Sequence, residues 1–344
     1  MATFLGIDLP TWWFAVIGAV FTGYAILDGF DLGAGAIHLL FKKEESRRIA
    51  LNAIGPVWDG NEVWLVIGGG ALFAGFPEVY ATLFSAFYIP FMLFLMVLIL
   101  RAIAIEFRSK EAMLWWRQMW DIVYSLASTM IAFLLGVVLG NLIQGIPIDE
   151  NFEYQGDFLQ LLNPYALLTG LTTLASCTMH GSIYLVMKTE SRLYTKLSIM
   201  VRDTSRFFVI CYIMQTMVTL VYFPSMAAKF KAHPTLFAVP MLTVLIIINT
   251  RRLLEKGKYM LAFLSSAFTM ASLLVTVAIN LFPKIIHSTL DPKYSITIYN
   301  GASSEKSLSI ILLFAVIGVP IVATYTFFVF WTFKGKVKLD ESSY

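Results

Sequence analysis

The strongest constraint on this chain is a succession of apolar runs, each long enough to cross a hydrocarbon layer. They fall at about 10–40, 50–74, 78–104, 113–143, 161–187, 201–223, 234–250, 257–282 and 308–333. Inside a bilayer the backbone finds no water to bond, so each run must satisfy its own N–H and C=O groups as a helix. The expected fold is an all-α membrane protein of about nine transmembrane helices. With 58% hydrophobic and only 14% charged residues, a soluble globular domain is excluded. The N-terminus lacks the basic segment, short apolar core and small-residue cleavage site of a signal peptide, so the first run is expected to be a retained span. Cys177 and Cys211 both fall inside apolar runs and are read as packing residues.

Where the charge sits gives the topology. Short cytoplasmic loops collect Lys and Arg. Basic residues cluster after the first run (Lys42, Lys43, Arg47, Arg48) and after the third (Arg101, Arg108, Lys110, Arg117). They cluster again after the fifth (Lys188, Arg192, Lys196, Arg202, Arg206), after the seventh (Arg251, Arg252, Lys256, Lys258) and in the tail (Lys334, Lys336, Lys338). The intervening loops hold few bases, and the one at 144–160 carries Asp149, Glu150, Glu153 and Asp157 with none. This alternation places the N-terminus outside and the C-terminus in the cytoplasm. The acidic loop also divides the chain: a first four-helix bundle at 1–143, a loop at 144–160, a second four-helix bundle at 161–282, a loop at 283–307, and a peripheral helix with a cytoplasmic tail at 308–344. Gly18 with Asp28-Gly29 and Gly170 with His180-Gly181 share a spacing, a faint echo between the two units.

Carboxylates stand where lipid should be. Asp28 and Asp31 are three residues apart in the first run, near one face of a helix. Counted from the inner ends at 1.5 Å per residue, they lie roughly 15–20 Å deep and Asp59 of the second run roughly 14 Å. An ionisable group at such depth costs at least about 2.5–3.5 kcal/mol, so it faces a cavity or a partner and marks a polar pathway. Asp59, Asp28 and Asp31 are therefore candidates for a proton pathway. Glu62, one turn beyond Asp59, either extends that pathway or bonds to a neighbouring subunit. Trp58, Asn61, Gly29 and Gly60 are read as packing and orienting residues, glycine allowing helices to approach closely. Arg101 is read as an inner-end residue that either carries its charge to the interface on its long stem, the preferred reading, or pairs with an acid.

Haem held within this chain would call for histidines on facing helices. Of the four histidines, His233 and His287 fall in outer loops, His38 at the inner end of the first run, and His180 alone well inside a span, where it reads as a hydrogen-bonded packing residue. No Cys/His metal spacing, phosphate loop or nucleophile motif is present, so no catalytic, metal or cofactor ligand is assigned, and no nucleic-acid partner is expected. Proton chemistry without a redox centre points to a subunit of a larger enzyme.

Several motifs resemble one family in order along the chain. They are "LDGFDLGAG" (27–35), "GPVWDGNEVWLVIGGGALFAGFPEVYATLFSAFY" (55–88), "FRSK" (107–110) with "WRQMWD" (116–121), and "GNLIQGIP" (140–147) with "FLQLLNPYALLTG" (158–170). Together they resemble subunit II of cytochrome bd-type quinol oxidases. The resemblance implies a nine-span subunit paired with a haem-bearing subunit I that holds haems b558, b595 and d, oxidises quinol and reduces O2 to water in the bacterial cell membrane. It implies that Asp59, matching the acid of the WDGN motif, belongs to a proton route from the cytoplasm, with Asp28 and Asp31 beside it. Small single-span subunits, and a quinone or a lipid within this subunit, are features of some relatives. Two other readings stand beside this one: a secondary transporter using its intramembrane carboxylates, and a purely structural scaffold in which the acids only lock helices.

Overall fold

The computed structural model describes residues 3–223 and 229–339. Residues 1–2 of the first expected unit, 224–228 of the second and 340–344 of the tail lie outside the described residues. The chain opens with a hairpin, β1 (Thr3–Phe4) and β2 (Ile7–Asp8), pairing Thr3 with Asp8 and Phe4 with Ile7. Leu5 and Gly6 turn it, both at positive φ (53° and 81°), the geometry that matches strand twist in a two-residue hairpin loop.

Eleven α-helices follow among the described residues outside 229–232. The first four are α1 (Leu9–Ala36), α2 (Glu44–Ile54), α3 (Trp58–Gly75) and α4 (Pro77–Ala86). Then come α5 (Tyr88–Phe107), α6 (Leu114–Gln144), α7 (Pro164–Lys188) and α8 (Ser191–Tyr222). The last are α9 (Ala238–Glu255), α10 (Tyr259–Leu281) and α11 (Glu305–Thr332).

Local chemistry explains their starts. Asp8 accepts from the Thr11 amide at the head of α1 and Asn163 from the Ala166 amide at the head of α7, each with a proline in the first turn whose missing N–H is no loss there. Ser304 does the same for α11 through the Ser307 amide.

Among the described residues, seven helices are long and apolar enough to cross a membrane: α1, α5, α6, α8, α9, α10 and α11. The other two expected runs show why hydropathy misses them. α3 opens with Asp59, Asn61 and Glu62, and α7 is filled with Thr, Ser, Gly and a histidine.

The second and third expected runs are each broken. Gly55 keeps helical dihedrals (φ −45°, ψ −44°) and donates to Leu51 O, but Pro56 has no N–H to carry the ladder on, so the run at 50–74 divides into the end of α2 and all of α3. Phe87 (φ −99°, ψ 26°), ahead of Pro90, separates α4 from α5 in the run at 78–104.

The helices pack mostly with chain neighbours, α5 on α6, α6 on α7, α7 on α8 and α9 on α10, while α1 runs through the middle against α3, α6, α7 and α10. α1 and α7 cross at glycines. A methyl group on Gly33 would lie 1.8 Å from the carbonyl oxygen of Cys177, and one on Gly181 2.4 Å from the Ala34 nitrogen. Small residues thus let two backbones touch, the main way helices associate where lipid removes the hydrophobic drive.

One apolar cluster joins Phe30, Ile37, Ile54, Trp58, Tyr184 and Leu197. Another, at the other end of α1, gathers Leu9 and Trp13 with Phe76, Ile146, Ile148, Ile286 and Leu308. Here the loop after α6 and the short hairpin β3 (Lys284–Ile286) with β4 (Ile296–Thr297) cover the helix ends. Trp13 donates to Leu308 O at 2.9 Å and ties α11 to α1.

Candidate functional site: carboxylates between three helices

Helical spacing sets Asp28 and Asp31 one above the other on α1, where both side chains are fully buried. α3 brings Asn61 and Glu62 to the same place, and α5 brings Arg101. Arg101 Nη2 donates to Asp28 Oδ1 at 2.8 Å and Nη1 to Glu62 Oε2 at 3.3 Å. Asn61 Nδ2 donates to Asp31 Oδ2 at 2.7 Å. Three acids, one guanidinium and one amide therefore meet inside the helices. Charge balance is incomplete: one cation faces three carboxyl groups. Asp28 Oδ2, Asp31 Oδ1 and Arg101 Nε have no bond to other described residues, and buried polar atoms of this kind are where internal water binds.

Asp59 is placed differently. The depth expected for it assumed a helix running unbroken from about residue 50. Because α3 begins at Trp58, Asp59 lies in the first turn, is exposed, and makes no hydrogen bond or ion pair to the described residues. Asp59, Glu62 and Asp28 thus grade from exposed through half-buried to buried along α3 and into the cluster. Trp58 is buried in the apolar cluster beside α2. Gly60 faces Tyr325 of α11, with room for a methyl group at 3.7 Å, while a methyl on Gly29 would press on Met270 at 3.0 Å. Gly29 is the tighter of the two packing positions.

Arg101 departs from its expected place. Its guanidinium does not reach an interface; the residue is 0% exposed and locked to α1 and α3. The pairing with an acid, the less favoured of the two sequence readings, is the one found; its signal was a lone arginine within the apolar run at 78–104, with acids in two other runs.

A second cluster was also missed. Asp121 of α6 lies 2.6 Å from His38 Nε2 and accepts from Arg108 Nε at 2.6 Å and Arg47 Nη1 at 3.0 Å. Arg108 reaches on to Glu44 at 3.0 Å, which also binds Arg117 at 3.3 Å. The basic residues placed on the inner side by charge alternation here bind one acid from α6 and one from α2. The only sequence sign was Asp121 at the end of the motif "WRQMWD".

His180 has both ring nitrogens engaged, Nδ1 with Ser266 Oγ at 2.6 Å and Nε2 with Ile26 O at 3.1 Å, and its ring stacks on Phe263. It joins α7, α10 and α1 as a packing residue. With both ring nitrogens committed, His180 has none left for haem iron; His38 is held by Asp121 through Nε2, and its buried Nδ1 has no bond to other described residues.

The family model for cytochrome bd terminal oxidase subunit II matches residues 9–333. Cytochrome bd-I ubiquinol oxidase subunit 2 of Escherichia coli (strain K12) is 31% identical over 360 residues, covering 96% of this chain and 95% of that protein. The probable cytochrome oxidase subunit 2 of Haemophilus influenzae is 35% identical, covering 92% and 91%. Cytochrome bd ubiquinol oxidase subunit 2 of Bacillus subtilis is 31% identical, covering 96% and 97%. In fold, the chain is similar to a chain of the bd oxidase from Geobacillus thermodenitrificans, with a TM-score of 0.79 at 18% identity over 94% of this chain and 98% of that one.

Proposed function

This chain belongs to the cytochrome bd terminal oxidase subunit II family, and from that premise we propose that it carries protons from the cytoplasm toward the haems of its complex. It is a multi-pass membrane subunit of a respiratory quinol oxidase of the bd type, partnered by a subunit I, and the complex contains haems. Family membership removes the transporter reading.

The finer architecture belongs to the same proposal. Nine spans form two four-helix bundles, at 1–143 and 161–282, with α11 added at the side. The N-terminus faces outward from the bacterial inner membrane. Haems b558, b595 and d lie in subunit I; in support, His180, the histidine well inside a span, has both ring nitrogens engaged by Ser266 and Ile26. Small single-span subunits, and a quinone or lipid in this subunit, are further expectations of the family.

One observation carries the proton route: the graded burial of Asp59, Glu62 and the Asp28–Asp31 pair, linked by Arg101 and Asn61. Asp59 supplies an accessible carboxyl, Glu62 a half-buried one, and the α1 pair a buried one, each able to hold a proton and pass it through intervening water. The scaffold reading keeps some support, since the same contacts hold α1, α3 and α5 together.

Asp59→Asn in an intact, fully haem-loaded complex separates the two, because Asp59 makes no such contact. Slower oxygen consumption with slower proton uptake is the expected result. Unchanged rates for both would end the route through Asp59 and leave the scaffold.

A further inference from the structure

We propose that the two acids of α1 have divided roles: Asp28 remains an anion held by Arg101, and Asp31, oriented by Asn61, is the group that takes up and releases the proton. This rests on the proton route proposed above and names the acid that carries it. The geometry separates the two residues although they are one turn apart and equally buried.

Asp28 bonds a guanidinium, an always-charged donor, at 2.8 Å. A buried guanidinium without an anion would be an uncompensated charge, so the pair holds its ionised form. Asp31 has no such partner. Its bond comes from the neutral amide of Asn61 at 2.7 Å, which serves a carboxylate and a carboxylic acid alike, since the carbonyl oxygen of either accepts it. Groups facing this pocket are Tyr24 and Asp28 on α1, Asn61 and Glu62 on α3, Arg101 on α5, Tyr124 on α6 and Tyr184 on α7. The one cation among them is already shared between Asp28 and Glu62. A second full negative charge at Asp31 would stand one turn from Asp28 in a medium that screens it poorly, so neighbouring acids of this kind share protons rather than both ionise.

Asn61 fixes which oxygen is involved. By occupying Oδ2 it leaves Oδ1, which has no other described partner, as the atom that holds the proton. The step is a proton transfer alone: an O–H bond forms at Asp31 Oδ1 as one breaks in the donor, and the reverse returns it, with no change in electron count. Asn61 is a positioning residue. It turns the carboxyl and keeps it in register with α3, where Glu62 follows one position later.

The test is infrared difference spectroscopy of the whole complex at neutral pH, read in the carbonyl stretch of protonated carboxyl groups, with turnover and proton uptake measured on the same samples. Asp31→Asn is expected to remove a carboxylic acid band and slow proton uptake by at least about ten-fold. Asp31→Glu is expected to keep a shifted band. Asn61→Leu is expected to shift the band, because one hydrogen bond to the carboxyl is gone; a purely structural asparagine would leave it in place. Asp28→Asn removes the neighbouring negative charge and frees Arg101, so it is expected to let Asp31 ionise and to weaken the band. If that variant does not assemble, the Asp31 and Asn61 variants decide alone. A band unmoved in Asp31→Asn, or unshifted in both Asp31→Glu and Asn61→Leu, overturns the division of roles. If Asp31→Asn removes the band but uptake and turnover stay at wild-type rates, the assignment of the proton stands and the route fails. If uptake falls with the band unchanged, the route stands and the assignment is overturned.

Discussion

Arg101 Nη2 lies 2.8 Å from Asp28 Oδ1, with both side chains sealed from solvent and the two residues 73 positions apart in the chain. Removing one member of a buried pair leaves an uncompensated charge and costs about 3–5 kcal/mol. Arg101→Leu is therefore expected to abolish assembly of the complex or lower its melting temperature sharply. Arg101→Leu combined with Asp28→Leu should recover much of that loss, since a well-packed apolar pair is often no worse than the ion pair. Thermal unfolding of purified complexes, single against double variant, measures the difference.

The crossing of α1 and α7 makes a steric prediction. Gly33→Ala would drive a methyl into the Cys177 carbonyl, and backbone cannot yield as a flexible side chain can. Overpacking of this kind costs about 1–3 kcal/mol or more. Gly69→Ala, with open space around it, is the matched control and should leave the melting temperature unchanged.

At the end of α7 the tail acts as a cap supplied from elsewhere in the chain. The helix ends at Lys188 without a glycine, and Lys336 donates to Thr189 O at 2.8 Å and Val186 O at 3.4 Å, while the Val337 amide donates to Lys188 O at 2.9 Å. A cation at a helix C-terminus contributes about 0.3–1 kcal/mol. Lys336→Met is expected to raise local opening around 186–192 about two- to five-fold, seen as faster tryptic cleavage or amide exchange. Lys338→Met serves as the control for charge alone.

In the loop after α6, Asp149 accepts from the Glu153 and Asn151 amides and from Gln155 Nε2. These bonds, the Glu153 amide foremost, hold its carboxyl below the usual aspartate value of 3.8. A depressed acid stabilises its turn fully above that ordinary value and loses the effect as pH falls through the lower, folded-state value. Protection of the Asn151 and Glu153 amides should therefore be flat above about pH 5 and decline through and below about pH 4. Asp149→Asn should flatten that decline. An equal decline in the variant would remove Asp149 as its cause.

Much of the molecule was readable along the chain. The apolar runs became helices in the expected order, and α3 and α7 escape a hydropathy threshold for the reason they matter, since their polar residues form the packed centre. Asp28, Asp31 and Glu62 were legible because an acid within an apolar run has no ordinary explanation. Arg101 was misplaced because charge alternation treats any arginine near a run's end as a loop residue. Asp59 was set too deep because the break at Gly55-Pro56 was passed over.

The sequence by itself determined the class of protein, the order of its helices, the caps that start several of them, and the burial of Asp28 and Asp31, but not the burial of Asp121 or the exposure of Asp59. Hydropathy and capping are local properties, written within about one helix length. Only the tertiary structure decided which charges meet: Asp28 with Arg101 across 73 residues, Asp121 with His38 across 83, His180 with Ser266 across 86. A buried ion must find a partner wherever packing brings one, and packing among helices leaves no mark in the spacing of residues that far apart.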